Sequence, residues 1–225
     1  PVTSIGWVAS IIQQSAASQK RINEFLKTKP EIKSDSKISP ELIEGKIEFI
    51  NVSFVYPDSG IKALKNISFE LEKGKKLAIV GKTGSGKTTI ADLLLRMYDV
   101  KEGQVLIDGK DIRQHNLSSL RKQTGYVPQD VFLFSDTVAN NISFGKPEAD
   151  RMRIEEFAKH AAVYNDIMAL PEGFDTQIGE RGVTLSGGQK QRISIARALI
   201  KEPQLIILDD CLSAVDTKTE AEISN

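Results

Sequence analysis

Apolar side chains recur at three- and four-residue steps through Ile5, Val8, Ile12, Ala16, Ile22 and Leu26, broken once at Gln19 and widened by Trp7, Ile11 and Phe25. That spacing predicts one amphipathic helix of about seven turns, its stripe meant for its own domain or for a partner or another part of a longer protein. Over residues 27–45 the composition turns to Lys, Glu, Ser and the prolines Pro30 and Pro40, which predicts a linker. Period-two alternation then marks 47–56 and 64–71, separated by Pro57-Asp58-Ser59-Gly60 and closed by Lys73-Gly74. These segments predict strands of an antiparallel layer. Leu77-Ala78-Ile79-Val80 and Leu205-Ile206-Ile207-Leu208 are continuous apolar runs, the pattern of strands buried in a parallel sheet. Between them the periodicity is mostly helical, at 90–98, 117–121, 137–142, 150–162 and 187–200.

Length and composition narrow the class. The 225 residues predict one large domain, or one domain with a compact sub-domain, and 40% hydrophobic with 27% charged residues suffices for a sizeable core. Thirty basic and thirty acidic residues cancel, so the bulk positive field of a nucleic-acid binder is missing and no nucleic-acid partner is expected. No apolar run nears the roughly 20 residues needed to cross a bilayer. A single cysteine, Cys211, and the lack of a basic-then-apolar leader make the cytoplasm the expected compartment.

The chemistry concentrates in three motifs. Gly81, Lys82, Thr83, Gly84, Ser85, Gly86, Lys87 and Thr88 satisfy G-x-x-x-x-G-K-S/T after a predicted strand and before the predicted helix at 90–98, and the adjoining Thr89 is expected to bind nucleotide with them. Such a loop turns backbone N–H groups inward onto phosphates, Lys87 neutralises the β- and γ-phosphates, and the Thr88 hydroxyl ligates Mg2+. Asp209 and Asp210 follow the second apolar run, where a carboxylate at a strand's C-terminal end sits beside such a loop and holds the Mg2+ shell. Ser186, Gly187, Gly188 and Gln189 open the last long helix with a capping-box pattern. Two glycines in a first turn cost roughly 1 kcal/mol each against alanine, and exposed N–H groups there suit a phosphate.

The stretch Leu185-Ser186-Gly187-Gly188-Gln189, with the phosphate loop and the run ending in Asp209, resembles the ATP-binding domain of ATP-binding cassette (ABC) exporters, of the multidrug or lipid export half-transporter type. The resemblance covers essentially the whole chain. It implies a P-loop α/β core, an antiparallel β layer and a helical sub-domain at about 130–200, all within an ATP-binding domain spanning 46–225. Residues 1–28 resemble the end of the last transmembrane helix, joined by a linker at 29–45. It implies ATP and Mg2+ as cofactors, adenine stacking by Tyr56, and metal contacts from Thr88, Gln129 and Asp209. Catalysis falls to Lys87, Gln129 and Asp210, and the Ser186–Gln189 segment meets nucleotide bound by a second such domain. Asp216 matches a loop acting across that interface. The stretches at 132–138 and 173–182, with Glu180, match loops facing the coupling helices of the membrane domain, so the implied location is the cytoplasmic face of the inner membrane.

Two departures matter. Asp210 stands where the family usually has a glutamate, which leaves open a degenerate half of a heterodimer that mainly binds ATP. The switch histidine of the family has no counterpart, since His115 and His160 both precede the Ser186 segment. With the chain stopping at Asn225 in what reads as a helix, a truncated, weakly active fragment is expected. A DNA-repair or chromosome-maintenance ATPase shares the motifs but separates them by a coiled coil, and no heptad run lies between Lys87 and Leu185.

Overall fold

The computed structural model describes residues 2–33, 38–179 and 182–210, and the chain divides into two units, 1–33 and 34–225. The first unit is helix α1, Val2–Lys27, on which Trp7, Ile12, Phe25 and Leu26 are exposed. No helix among the described residues is long and apolar enough to cross a membrane.

The second unit opens with strands β1, Ile47–Val55, and β2, Lys62–Leu71, followed by helix α2, Lys87–Leu94, and strands β3, Glu102–Ile107, and β4, Lys110–Asp111. The four strands form an antiparallel sheet in the order β2-β1-β3-β4; the alternation calls for β1 and β2, whereas β3 and β4 lie in the stretch that reads as mostly helical. Its inward side chains, among them Ile47, Phe49, Val52, Val105 and Ile107, pack with Ile90, Leu93 and Leu94 of α2 into one core, where removal of apolar surface from water supplies the stabilisation. Phe49 and Phe69 stack across β1 and β2 at 4.5 Å.

Helix α3, Leu117–Lys122, leads into strand β5, Thr124–Val127, which runs parallel to β6, Leu205–Leu208. Between these strands lie helices α4, Val138–Ser143, α5, Arg151–His160, α6, Tyr164–Met168, and α7, Gly187–Leu199. They enclose a second core around Ile142, Phe157, Ile167, Phe174, Ile193 and Ile200. Phe174, in a 3-10 turn at Gly173–Asp175, is fully buried.

Besides β3, β4 and β5, two segments differ from the sequence expectation. Residues 77–80 form no strand, and Leu77, Ile79 and Val80 are exposed. An apolar run becomes a buried strand only when a ladder captures its N–H and C=O groups, and among the described residues β6 pairs on one edge alone, with β5. An open cleft of about 220 Å3, lined by Leu77, Ile79 and the β6 residues, separates the two. The second difference concerns residues 38–45, within the stretch that reads as linker. The Asp108 carboxylate accepts the backbone N–H groups of Glu44, Gly45 and Lys46, while Gln123 bonds the Ile43 N–H and the Glu41 carbonyl. Ile43 is buried and Glu41 pairs with Lys110 at 2.7 Å, so this stretch is a strap fastened to the domain body.

Candidate functional site

The loop at 81–86 is built by glycine geometry. Gly84 and Gly86 lie in the left-handed region at φ 80 and 93. A Cβ on Gly86 would stand 2.6 Å from the Ala63 carbonyl oxygen and 2.8 Å from Leu64 Cδ2, so only glycine lets β2 pass this close to the start of α2. Residues 81–85 are exposed. Lys87 Nζ curls back over the loop and donates to the Gly81 and Lys82 carbonyls at 2.9 and 3.2 Å. Thr88 is exposed, whereas Thr89 is buried with its hydroxyl 3.0 Å from the Tyr56 hydroxyl.

Tyr56 also donates to Asp92 Oδ2 at 3.2 Å, and T-shaped contacts with Phe54 and Tyr98 hold its ring. Burial is the main cause that raises the Asp92 carboxyl above the usual carboxylate range, with the Asp209 charge adding to it and the Tyr56 bond opposing it. Burial likewise pushes the Tyr126 phenol up to about 12.

Parallel pairing sets the facing wall. Val127 of β5 stands in register with Leu208 of β6. Two residues further along each chain, Gln129 Nε2 therefore meets Asp210 Oδ2, at 3.2 Å. Asp210 adopts φ 48, which turns the chain sharply at the strand end. Asp209 is buried, its N–H bonded to the Val127 carbonyl, and its Oδ2 has no hydrogen-bond partner among the described residues. Such an orphaned buried carboxyl oxygen is costly unless a cation or donor completes it. Lys87, Asp209 and Asp210 line the mouth of the cleft between 77–79 and β6.

Ser186, Gly187, Gly188 and Gln189 open α7 elsewhere in the fold, and no hydrogen bond among the described residues joins them to the loop at 81–88. The capping box is complete: Ser186 Oγ accepts the Gln189 N–H at 3.2 Å and Gln189 Oε1 accepts the Ser186 N–H at 3.0 Å. Glu180 and Asp216 lie outside the described residues. The sequence reading missed Asp92 and Asp166; the one signal for Asp92 was a lone acid inside the apolar run after the phosphate loop.

A family model described as ABC transporter matches residues 64–213. The chain belongs to the ABC transporter family. Its similarity to a probable multidrug resistance ABC transporter ATP-binding/permease protein, YheI of Bacillus subtilis, is 48% identity over 99% of this chain and 38% of that protein. The ATP-dependent lipid A-core flippase of Escherichia coli is 45% identical over 99% of the chain and 38% of the relative. Among solved structures, a bacterial Atm1-family ABC exporter with ATP bound aligns at a TM-score of 0.88 and 40% identity, over 98% of this chain and 38% of that one. The chain thus spans a little over a third of these relatives and has the ABC ATPase fold, with its antiparallel sheet and helices.

Proposed function

We propose that this chain is the ATP-binding and ATP-hydrolysing domain of an ABC exporter, joined through residues 1–45 to a membrane domain and working at the cytoplasmic face of the membrane. The observation that carries the reading is the convergence of a glycine-shaped phosphate loop and Lys87 with the in-register pair Gln129–Asp210 and the orphaned oxygen of Asp209. Backbone N–H groups of 81–88 hold the phosphates, and Lys87 leaves its two loop carbonyls to neutralise them. Tyr56 stacks on adenine, its ring held by Thr89, Asp92 and Tyr98.

Among the described residues no three His, Cys, Asp or Glu side chains converge as a ready cation site. The oxygen donors nonetheless suit Mg2+ arriving with nucleotide, which Thr88, Asp209 and Gln129 would hold. Held there, Mg2+ would supply neutralisation of phosphate charge. Asp210, kept in place by Gln129, orients and polarises the water that attacks the γ-phosphate in line. Ser186, Gly187 and Gly188 present the N-terminus of α7 to nucleotide on a second such domain, so hydrolysis requires two chains. The coupling helices of the membrane domain are the other partner, contacted through loops at 132–138 and 173–182.

A second reading, a slow site in a heterodimer, is favoured by the short side chain of Asp210. Lys87→Ala tests the site itself. The wild-type chain gains thermal stability with MgATP, by about 2.7 kcal/mol at a hundredfold excess over Kd, and the variant should lose that gain. An unchanged MgATP shift in Lys87→Ala would overturn the assignment.

A further inference from the structure

Resting on that reading, we propose that Asp166 is a positioning residue that aims the first turn of α7, and that Gln189 is its strut and not a nucleotide ligand. Gln189 and Arg192 are three residues apart on α7 and so share one face of the helix. Both reach a single carboxylate. Gln189 Nε2 donates to Asp166 Oδ1 at 3.2 Å, and the Arg192 guanidinium to Oδ2 at 2.8 Å.

Two anchor points nearly a turn apart fix both the rotation of α7 about its axis and its height. Arg192 is only 14% exposed and its Nε has no hydrogen-bond partner among the described residues, so Asp166, reached by Nη2, supplies its charge compensation. The other end of the Gln189 amide holds the Ser186 N–H. With Oε1 and Nε2 both engaged inside the chain, the amide acts as a rod from Asp166 to the cap of α7. Asp166 itself sits on α6, which is anchored by buried Ile167 and by the Tyr164 ring against Phe174.

The consequence is separable from nucleotide binding. The carboxylate touches nothing at the phosphate loop, so MgATP affinity of one chain is set without it. Its loss lets the Ser186–Gly188 turn drift from the γ-phosphate of the second chain, where a misplacement of about 1 Å costs on the order of 100-fold in rate.

The test measures steady-state hydrolysis, nucleotide affinity and melting temperature of the full-length protein carrying Asp166→Ala, Gln189→Ala, both together, and Asp166→Asn, with Ser186→Arg as control. Asp166→Ala should lower kcat roughly 10- to 100-fold with KM for ATP changed by less than about twofold. The double variant should be no slower than the worse single one, because both cut the same rod. Asp166→Asn, which keeps one acceptor for Gln189 but leaves the Arg192 charge uncompensated, should fall between Asp166→Ala and wild type. If Asp166→Ala does not fold, Gln189→Ala, which cuts the rod from the α7 end, should show the same loss of kcat with KM for ATP held. An unchanged kcat per folded protein, or fully additive losses, would overturn the inference while Ser186→Arg still abolishes hydrolysis. Full hydrolysis in Ser186→Arg would instead overturn the two-chain reading on which it rests.

Discussion

Gly187→Ala separates what the fold needs from what a ligand needs. A Cβ built on Gly187 meets nothing within 4 Å, and its backbone lies outside the left-handed region. The chain's own structure therefore gives no reason for glycine at the first position of α7. Helix propensity favours alanine there by about 0.5–1 kcal/mol, which for a chain of this size raises the melting temperature by about 1–4 °C. Activity should move the other way. A phosphate oxygen held by these N–H groups sits at about 2.9 Å, and a methyl group intruding there displaces it by roughly 1 Å, enough for a loss on the order of 100-fold. The assay pairs thermal melting without nucleotide against MgATP hydrolysis by full-length protein. A stabilised variant with undiminished hydrolysis would refute the reasoning, because nothing would then approach the helix end closely enough to require glycine.

Two further outcomes concern the carboxyl groups of Asp92 and Asp210. Burial raises the Asp92 pKa in the folded state above its unfolded value near 4, so ionisation at neutral pH opposes folding. Asp92→Asn should raise the melting temperature of nucleotide-free protein by ~1–2 °C at pH 7.5, most of the charge being solvent-screened, and the gain should vanish as pH falls to about 4; a pH-independent gain would contradict this. Asp210→Glu extends the carboxylate by roughly 1.5 Å, one C–C bond, and should raise hydrolysis at this chain's site up to about 100-fold, measured as single-turnover release of phosphate; a fall would show that the aspartate and its left-handed turn are matched to each other.

Half of the antiparallel layer was legible, because alternation fixes which face of β1 and β2 is buried; β3, which joins the sheet through pairing with β1, was not. The glycine loop at 81–86 was legible because its glycines serve local geometry, as the close approach of Gly86 to Ala63 shows. What escaped the sequence is long-range. The strap at 38–45 has linker composition, yet Asp108, more than sixty residues away, captures three of its N–H groups. Leu77-Ala78-Ile79-Val80 and Leu205-Ile206-Ile207-Leu208 look alike in sequence, but only the second finds a ladder partner among the described residues. Gln129 was recognisable through family resemblance alone, and its bond to Asp210 appears only once β5 and β6 are paired in register.

The central claim is a site shared between two chains, and subunit complementation measures it most directly. Lys87→Ala removes the phosphate grip of a chain's own loop, and Ser186→Arg blocks the helix end that it offers to its partner. Co-purified mixtures of the two variants form dimers in which one site carries both defects and the other carries neither. In a two-fold dimer, half of the assemblies then hold one intact site of two, so hydrolysis should recover to about a quarter of wild type from near zero in either variant alone. Mixed dimers with no recovery would contradict the account, because each site would then have been built within a single chain.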